Sequence, residues 1–210
     1  QVAIEGATRR VLRVDCEMYP QPSYSTDPAG RARIVEHVRA LLGRIGDPGI
    51  LVTAIPRHKV VLNPIELPGA GESELARMVE FEAGRHLTVP VAEVRLDYEL
   101  ITPPSAERPR AEVLLVAVRW SDLDRHLALI REAGRLPDRI DVSGLALAAA
   151  FLGTRGSGAR TPGGPVALVD VGTQAVEIVI VGHGGAPVSR RALVSAEGAQ
   201  RVRASLACRS

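Results

Sequence analysis

Apolar positions along the chain change period several times, and each change marks an element. Residues 2–14 alternate loosely and predict two short strands around Gly6. A Pro- and Ser-rich loop over 20–28 follows, and Asp27-Pro28 supplies an N-cap and a proline at the first helical position. Ile34, Val35, Val38, Leu41, Leu42 and Ile45 then recur at helical spacing, so an amphipathic helix is expected, with Gly46 as its stop. Residues 50–55 are a near-continuous apolar run, and 59–67 predict a second strand ending at Pro68. A helix over 72–87 carries Leu75, Met78, Val79, Ala83 and Leu87 on one face and is closed off by Pro90. Residues 93–101 alternate, with Val94, Leu96, Tyr98 and Leu100 on one side.

A proline-rich loop over 102–110 leads to a buried-type strand at 112–118. Ser121 and Asp124 suit an N-terminal capping pair for a helix carrying Leu123, Leu127 and Ile130 and ending at Gly134. A short strand near 138–142 leads into an alanine-rich helix over 144–152, and the Gly/Arg/Ser/Thr/Pro segment 153–165 predicts a flexible loop. Residues 166–171 and 175–181 are strands with a tight Gly172-Thr173 turn between them. A second turn at Gly182, Gly184 and Gly185 leads to a strand around 188–194, and 197–207 predict a final helix. The run strand, helix, strand, strand, helix between 59 and 134 predicts a small antiparallel sheet with helices on one face. Because α/β material flanks it on both sides, the economical arrangement is an insertion within a larger α/β domain.

At 210 residues, with 46% hydrophobic and 24% charged, the chain can bury one sizeable core or two small ones. A net charge of +2 is too small to mark a nucleic-acid surface. Lys59 is the only lysine among 26 basic residues, a habit that reflects a GC-rich genome rather than phosphate binding. Cys16 and Cys208 lie far apart outside any C-x-x-C pattern, so neither a disulfide framework nor a zinc site is expected. No apolar stretch approaches the ~20 residues that span a bilayer, and no signal-peptide pattern opens the chain. The expectation is a reducing, cytoplasmic setting without direct membrane insertion. Gln1 in place of Met predicts that the natural N-terminus lies upstream.

His37, His58, His86, His126 and His183 show no H-x-x-x-H pairing, sit beside polar or charged residues, and are expected at the surface without metal. There is no G-x-S-x-G elbow and no phosphate loop of the G-x-x-x-x-G-K-[ST] type. Arg190-Arg191 is too small a basic pair for nucleic acid. The hairpin at 170–174 is the one segment with chemistry to weigh. Its first strand delivers Asp170 to its end, where a carboxylate can hold Mg²⁺ or its water shell. Gly172 lets backbone approach a phosphate, and Thr173 with Gln174 offers donors to phosphate oxygens. The same residues also suit a plain β-hairpin with Asp and Gly at its turn.

Three stretches resemble the PilM-type pilus assembly proteins, relatives of the bacterial cell-division actin homologue and of the cytoplasmic domain of the type II secretion L protein. The first is IPRHKVVLNPIELP followed by ELARMVEFEAGRHLTVPVAEVRLDYELI; the second is EVLLVAVRWSDLDRHLALIREAGRLPDRIDVSGLALAAAF; the third is VALVDVGTQAVEIVIVGHGGAPVSRRAL. They cover roughly 31–194, and their order and spacing carry the likeness. It implies an α/β and α+β chain of actin-like ATPase (ribonuclease-H-like) lobes with an inserted strand-helix-strand-strand subdomain. The implied layout is a partial first lobe over 1–55, the insert over 56–134, a return to the first lobe over 135–152, the flexible loop 153–165, and the opening of a second lobe over 166–210.

In the family, ATP and Mg²⁺ lie between two phosphate-binding hairpins and a C-terminal glycine-rich loop. Here Glu5-Gly6-Ala7-Thr8 departs from the first hairpin's acidic-Gly-Ser/Thr turn, and the C-terminal loop would lie beyond Ser210. Only the second hairpin matches, so the resemblance implies Asp170, Gly172, Thr173 and Gln174 as cofactor-contacting residues, with at most vestigial nucleotide binding and no cofactor expected in this chain. Ser143 stands where related sequences carry a water-positioning acidic residue, and Asp141 would not project to the same side. No catalytic residue is therefore assigned, and turnover is expected to be weak or absent.

The implied role is a cytoplasmic scaffold of type IV pilus assembly, peripheral to the inner membrane through a partner. That partner is a PilN-like bitopic protein whose N-terminal tail docks as an extended peptide in a groove between insert and first lobe. The strand at 59–67 and the helix at 72–87 are expected to contribute to the groove. Other pilus or secretion assembly proteins are further expected partners. The alternatives are a type II secretion L-protein-like scaffold, whose partner is a secretion ATPase, or an active actin-like ATPase if the full gene supplies the missing loops.

Overall fold

The computed structural model describes residues 2–5, 8–12, 14–15, 27–47, 49–154, 164–171, 175–182 and 188–193. The expected turns at 172–174 and 183–187, most of the loop 153–165, and the final helix over 197–207 lie outside the described residues. The chain divides into two units: residues 1–54 with 121–141, and residues 55–120 with 142–210.

In the first unit, strands β1 (Val2–Glu5) and β2 (Thr8–Val11) form an antiparallel hairpin, as the loose alternation predicts. Helix α1 (Pro28–Ile45) starts where the sequence places it. The Asp27 carboxylate accepts the Gly30 N–H at 2.8 Å, Pro28 sits in the first turn, and Ile34 and Val35 are buried. The helix stops at Gly46, whose φ of +76° is a conformation that side-chain-bearing residues rarely adopt, and whose N–H returns to the Leu42 carbonyl. Strands β3 (Val52–Ile55) and β7 (Arg139–Val142) form a two-stranded sheet.

Helix α3 (Trp120–Glu132) belongs with this first unit. Its last residue, Glu132, takes a two-pronged ion pair from Arg31 of α1, with contacts of 2.7 and 3.3 Å, while Arg39 donates to the Glu132 carbonyl at 2.6 Å. Arg31 accordingly holds the Glu132 carboxyl below its usual range, chiefly through the hydrogen bond. Two readings are corrected here. The preceding strand runs directly into α3 at Trp120, so Ser121 lies inside the first turn and is not an N-cap residue. His126 is not a surface group: it is half-buried, with Nε2 2.9 Å from Thr53 Oγ1 of β3, and burial lowers its pKa from the ordinary 6.5.

The second unit holds the small sheet. Strands β4 (Val60–Pro68), β5 (Val94–Thr102) and β6 (Arg110–Arg119) are antiparallel in the order β4-β6-β5, with short 3₁₀ turns at Arg57–Lys59 and Val91–Glu93 leading into β4 and β5. Helix α2 (Glu72–His86) packs Leu75, Val79 and Ala83, each four residues apart, onto Ile65 and Leu67 of β4 and Ala111, Val113 and Leu115 of β6. Val113, Leu115 and Ala83 are wholly shielded from solvent. Each large apolar side chain so buried contributes about 1.5–3 kcal/mol, which makes this the best-built core of the chain.

The rest of this unit is helix α4 (Ser143–Thr154) and the strands β8 (Val166–Val171), β9 (Ala175–Val181) and β10 (Val188–Leu193), antiparallel in the order β10-β9-β8. Leu147 and Ala148 of α4 pack against Val179 and Val181 of β9 and Leu168 of β8.

Candidate functional site

Two places combine geometry with chemistry, and both lie in the second unit. The first is a groove beside α2. Helix α2 lies on the face of the sheet, and next to its buried stripe runs a second one: Glu74, Arg77, Met78, Phe81 and Arg85, at steps of three, one, three and four. This stripe faces the end of β4. Together with Glu82, with Glu66, Leu67 and Pro68 of β4, and with Arg110 at the start of β6, it encloses about 590 Å³. That volume falls within the ~300–1,000 Å³ of ordinary ligand pockets. β4 is an edge strand of its sheet, and Pro64 and Pro68 interrupt its donors, a common way of keeping an edge from pairing indiscriminately.

Two of the acidic side chains that line the groove, Glu66 and Glu82, are met from within the chain; Glu74 lines it as well. Arg108 Nη2 donates to Glu66 at 3.1 Å, and Arg110 lies 3.4 Å from the same carboxylate while donating to the Glu66 carbonyl at 2.7 Å. Arg85 Nη1 reaches Glu82 at 3.1 Å, and His86 lies 3.7 Å from it. The Arg85 guanidinium also stands 5.6 Å from the centroid of the Phe81 ring, within cation–π range. Phe81 is 75% exposed, the most open aromatic among the described residues.

The second place is the end of the β8–β9 hairpin. Asp170 is exposed near the end of β8, as the sequence suggests, and its direct cross-strand partner is Glu177. Direct partners point to the same face, so two carboxylates stand opposite one another, an arrangement that costs energy unless other groups compensate. Glu177 is 7% exposed, and its carboxylate accepts a hydrogen bond from Ser143 Oγ at 2.8 Å. Ser143 opens α4, so the helix N-terminus adds its favourable dipole. Ser143 Oγ in turn accepts the Arg57 N–H at 3.1 Å. Gly172, Thr173 and Gln174 lie outside the described residues, so only Asp170 of the expected set is placed.

Glu177 is the residue that sequence reasoning missed. Its signal was available: one carboxylate in the apolar strand AVEIVIV, in phase with Val179 and Val181, which are buried against α4. Among the described residues no three His, Cys, Asp or Glu side chains converge as a metal site, and no helix is long and apolar enough to cross a membrane.

A family model for the type IV pilus assembly protein PilM matches residues 30–194, a span that includes the groove, α4 and the β8–β9 hairpin. The chain belongs to the PilM family. Among solved structures it is similar to the PilM–PilN type IV pilus biogenesis complex, with a TM-score of 0.67 at 24% identity over 94% of this chain and 58% of that one. It is also similar to the cytoplasmic domain of EpsL, an inner-membrane component of the type II secretion system of Vibrio cholerae, with a TM-score of 0.51 at 18% identity over 74% of this chain and 56% of that one. The chain thus spans well under two thirds of either. A Bacteroides thetaiotaomicron protein with an actin-like ATPase fold and unknown function is a more distant likeness, at a TM-score of 0.39 and 9% identity over 77% of this chain and 56% of that one. Membership of the PilM family bears out the resemblance of the three quoted stretches, and the described helices and sheets have the mixed α/β and α+β make-up expected from them.

Proposed function

We propose that this PilM-family chain is a scaffold of type IV pilus assembly that receives the N-terminal tail of a PilN-like inner-membrane partner at the cytoplasmic face. The observation that carries the reading is the groove between α2 and the end of β4, which lies within residues 56–134 rather than between them and the first lobe as expected from the sequence, and falls inside the span matched to the family. A helix beside a strand edge suits an extended peptide: backbone groups give the strand direction, and side-chain pockets give specificity. In this reading residues 56–134 are an insertion in the first lobe, which spans 1–55 and 135–152. Residues 166–210 open the second lobe.

Nucleotide binding is at most vestigial. Asp170 is a hard oxygen donor of the type Mg²⁺ prefers, and when bound the ion would neutralise phosphate charge. The nearby carboxylate of Glu177 is already committed to Ser143 at the start of α4. Among the described residues the contribution is an exposed carboxylate near the end of β8, which suits weak phosphate contact rather than turnover. Likeness to the EpsL domain favours a second reading, a type II secretion scaffold whose partner is a secretion ATPase. The two diverge in which tail is bound.

The test is calorimetric titration of this chain with a synthetic N-terminal peptide of a PilN-like protein and, separately, with Mg·ATP. Saturable heat from the peptide is expected, with little or none from the nucleotide. Absence of peptide binding up to the solubility limit would overturn the scaffold reading, and tight Mg·ATP binding would overturn the vestigial one.

A further inference from the structure

We propose that the outer edge of β5 is a self-association surface, where a second copy of this chain adds its own β5 antiparallel and joins the two small sheets into one. The two edges of the sheet β4-β6-β5 are built differently. On β4, Pro64 and Pro68 remove donors and guard the edge, whereas β5 runs for nine residues, Val94–Thr102, without a proline. Its side chains alternate: Leu96 and Tyr98 pack against the core under α2, while Arg95, Asp97 and Glu99 are exposed on the other face. The Tyr98 N–H donates to Asp97 Oδ1 at 2.9 Å, a donor that the ladder with β6 leaves over. By the alternation of an antiparallel ladder, the backbone groups of Val94 and Leu96 turn to that same outer edge.

Charges on an edge strand commonly keep copies apart. On β5 the order of their signs favours pairing in one register. With a two-fold axis at Leu96, Leu96 meets Leu96 of the second copy, Val94 meets Tyr98, and Arg95 meets Asp97 twice over by symmetry. Apolar side chains then share the α2 face, and opposite charges share the other. Moving the axis one residue either way sets Arg95 against Arg95 or Asp97 against Asp97, and moving it to Tyr98 sets Asp97 against Glu99. Neither Arg95 nor Asp97 has an ion pair among the described residues, so pairing breaks none. Asp97 gives up only the Tyr98 N–H, which the Val94 carbonyl of the second copy accepts instead. At each end Glu93 meets Glu99, but Glu93 lies in the 3₁₀ turn before the strand, outside the ladder.

The experiment follows the whole chain by sedimentation equilibrium as wild type, Arg95→Asp, Asp97→Arg and the double swap of both. Circular dichroism accompanies each variant, and because both side chains are exposed the spectra are expected to be unchanged. A ladder this short lies at the low end of interface sizes, so wild type is expected to dimerise with a dissociation constant of roughly 0.05–1 mM. Each single reversal sets like charges together at two symmetric positions and should weaken dimerisation about 5- to 50-fold. The double swap, and an equimolar mixture of the two single variants, bring opposite charges together again and should recover most of the wild-type affinity. A wild type that stays monomeric up to its solubility limit overturns the proposal, as does dimerisation that neither reversal changes. A double swap as weak as the single reversals overturns the register centred on Leu96, and the proposal with it. If wild type stays monomeric and Asp97→Arg abolishes its binding of an N-terminal peptide of a PilN-like protein, the edge takes that tail and not a second copy. Failure of the self-association leaves the groove reading untouched, since β5 lies on the other edge of the sheet.

Discussion

Leu115 offers the most demanding check on the architecture that holds the groove. It lies mid-way along β6, the central strand of β4-β6-β5, opposite Asn63 on one side and Tyr98 on the other. Its side chain is fully shielded, beneath α2 in the cluster that includes Leu75 and Val79. In Leu115→Ala the flanking strands cannot close on the space, because their backbones are fixed by ladder hydrogen bonds at both edges of β6. The cavity therefore persists, and the cost belongs in the upper part of the ~2–5 kcal/mol range for buried Leu→Ala, at about 3–5 kcal/mol. Set against a typical total of about 5–15 kcal/mol, that is a large share of the stability. Guanidinium unfolding followed by far-ultraviolet circular dichroism should show a lower midpoint at unchanged slope. Phe81→Ala, a larger truncation at an exposed position of the same module, should shift stability by no more than about 0.5 kcal/mol. If Leu115→Ala costs less than about 1 kcal/mol, β6 is not the covered centre of this sheet and the reasoning fails.

Two further outcomes follow from particular contacts. His126 has a folded-state pKa below the ordinary 6.5 because burial disfavours its charged form. The unfolded chain therefore binds the proton first as pH falls, so stability is full above about pH 6.5 and declines below it towards the folded pKa. Thermal unfolding at pH 7.5 and 5.5 should show a smaller acid loss for His126→Gln than for wild type, and equal losses would remove His126 from the account. At Gly69 an added methyl would stand 2.8 Å and 2.9 Å from two carbons of the Pro104 ring and 3.2 Å from the Pro109 carbonyl. A proline ring cannot swing aside, so Gly69→Ala should cost about 1–3 kcal/mol by forcing two loops apart. A melting temperature equal to wild type would show that the two loops are not held that close.

Local signals in the chain were legible wherever local physics decides the outcome. Asp27-Pro28 and Gly46 bracket α1 because a helix end needs only a nearby acceptor or a residue tolerant of positive φ. The spacing of Leu75, Val79 and Ala83 gave α2 its buried face before any partner was known. Misreadings arose where another element, adjacent or distant in sequence, intervened. Ser121 has the chemistry of a cap, but β6 passes into α3 without a break and leaves no cap position there. His126 has polar neighbours in sequence, yet Thr53 sits beside it in space and the ring is half-buried.

By itself, then, the sequence determined which segments become helices and strands, in what order, and enough of their spacing to indicate the PilM family. Those properties depend on side-chain periodicity and on caps within a few residues. Tertiary structure alone decided that β6 lies between β4 and β5, that α3 joins α1 through Arg31 and Glu132, and that Glu177 meets Ser143 at the start of α4. It also placed Phe81 over the end of β4. Contacts between residues dozens of positions apart depend on which faces must be buried together, and no local pattern carries that information.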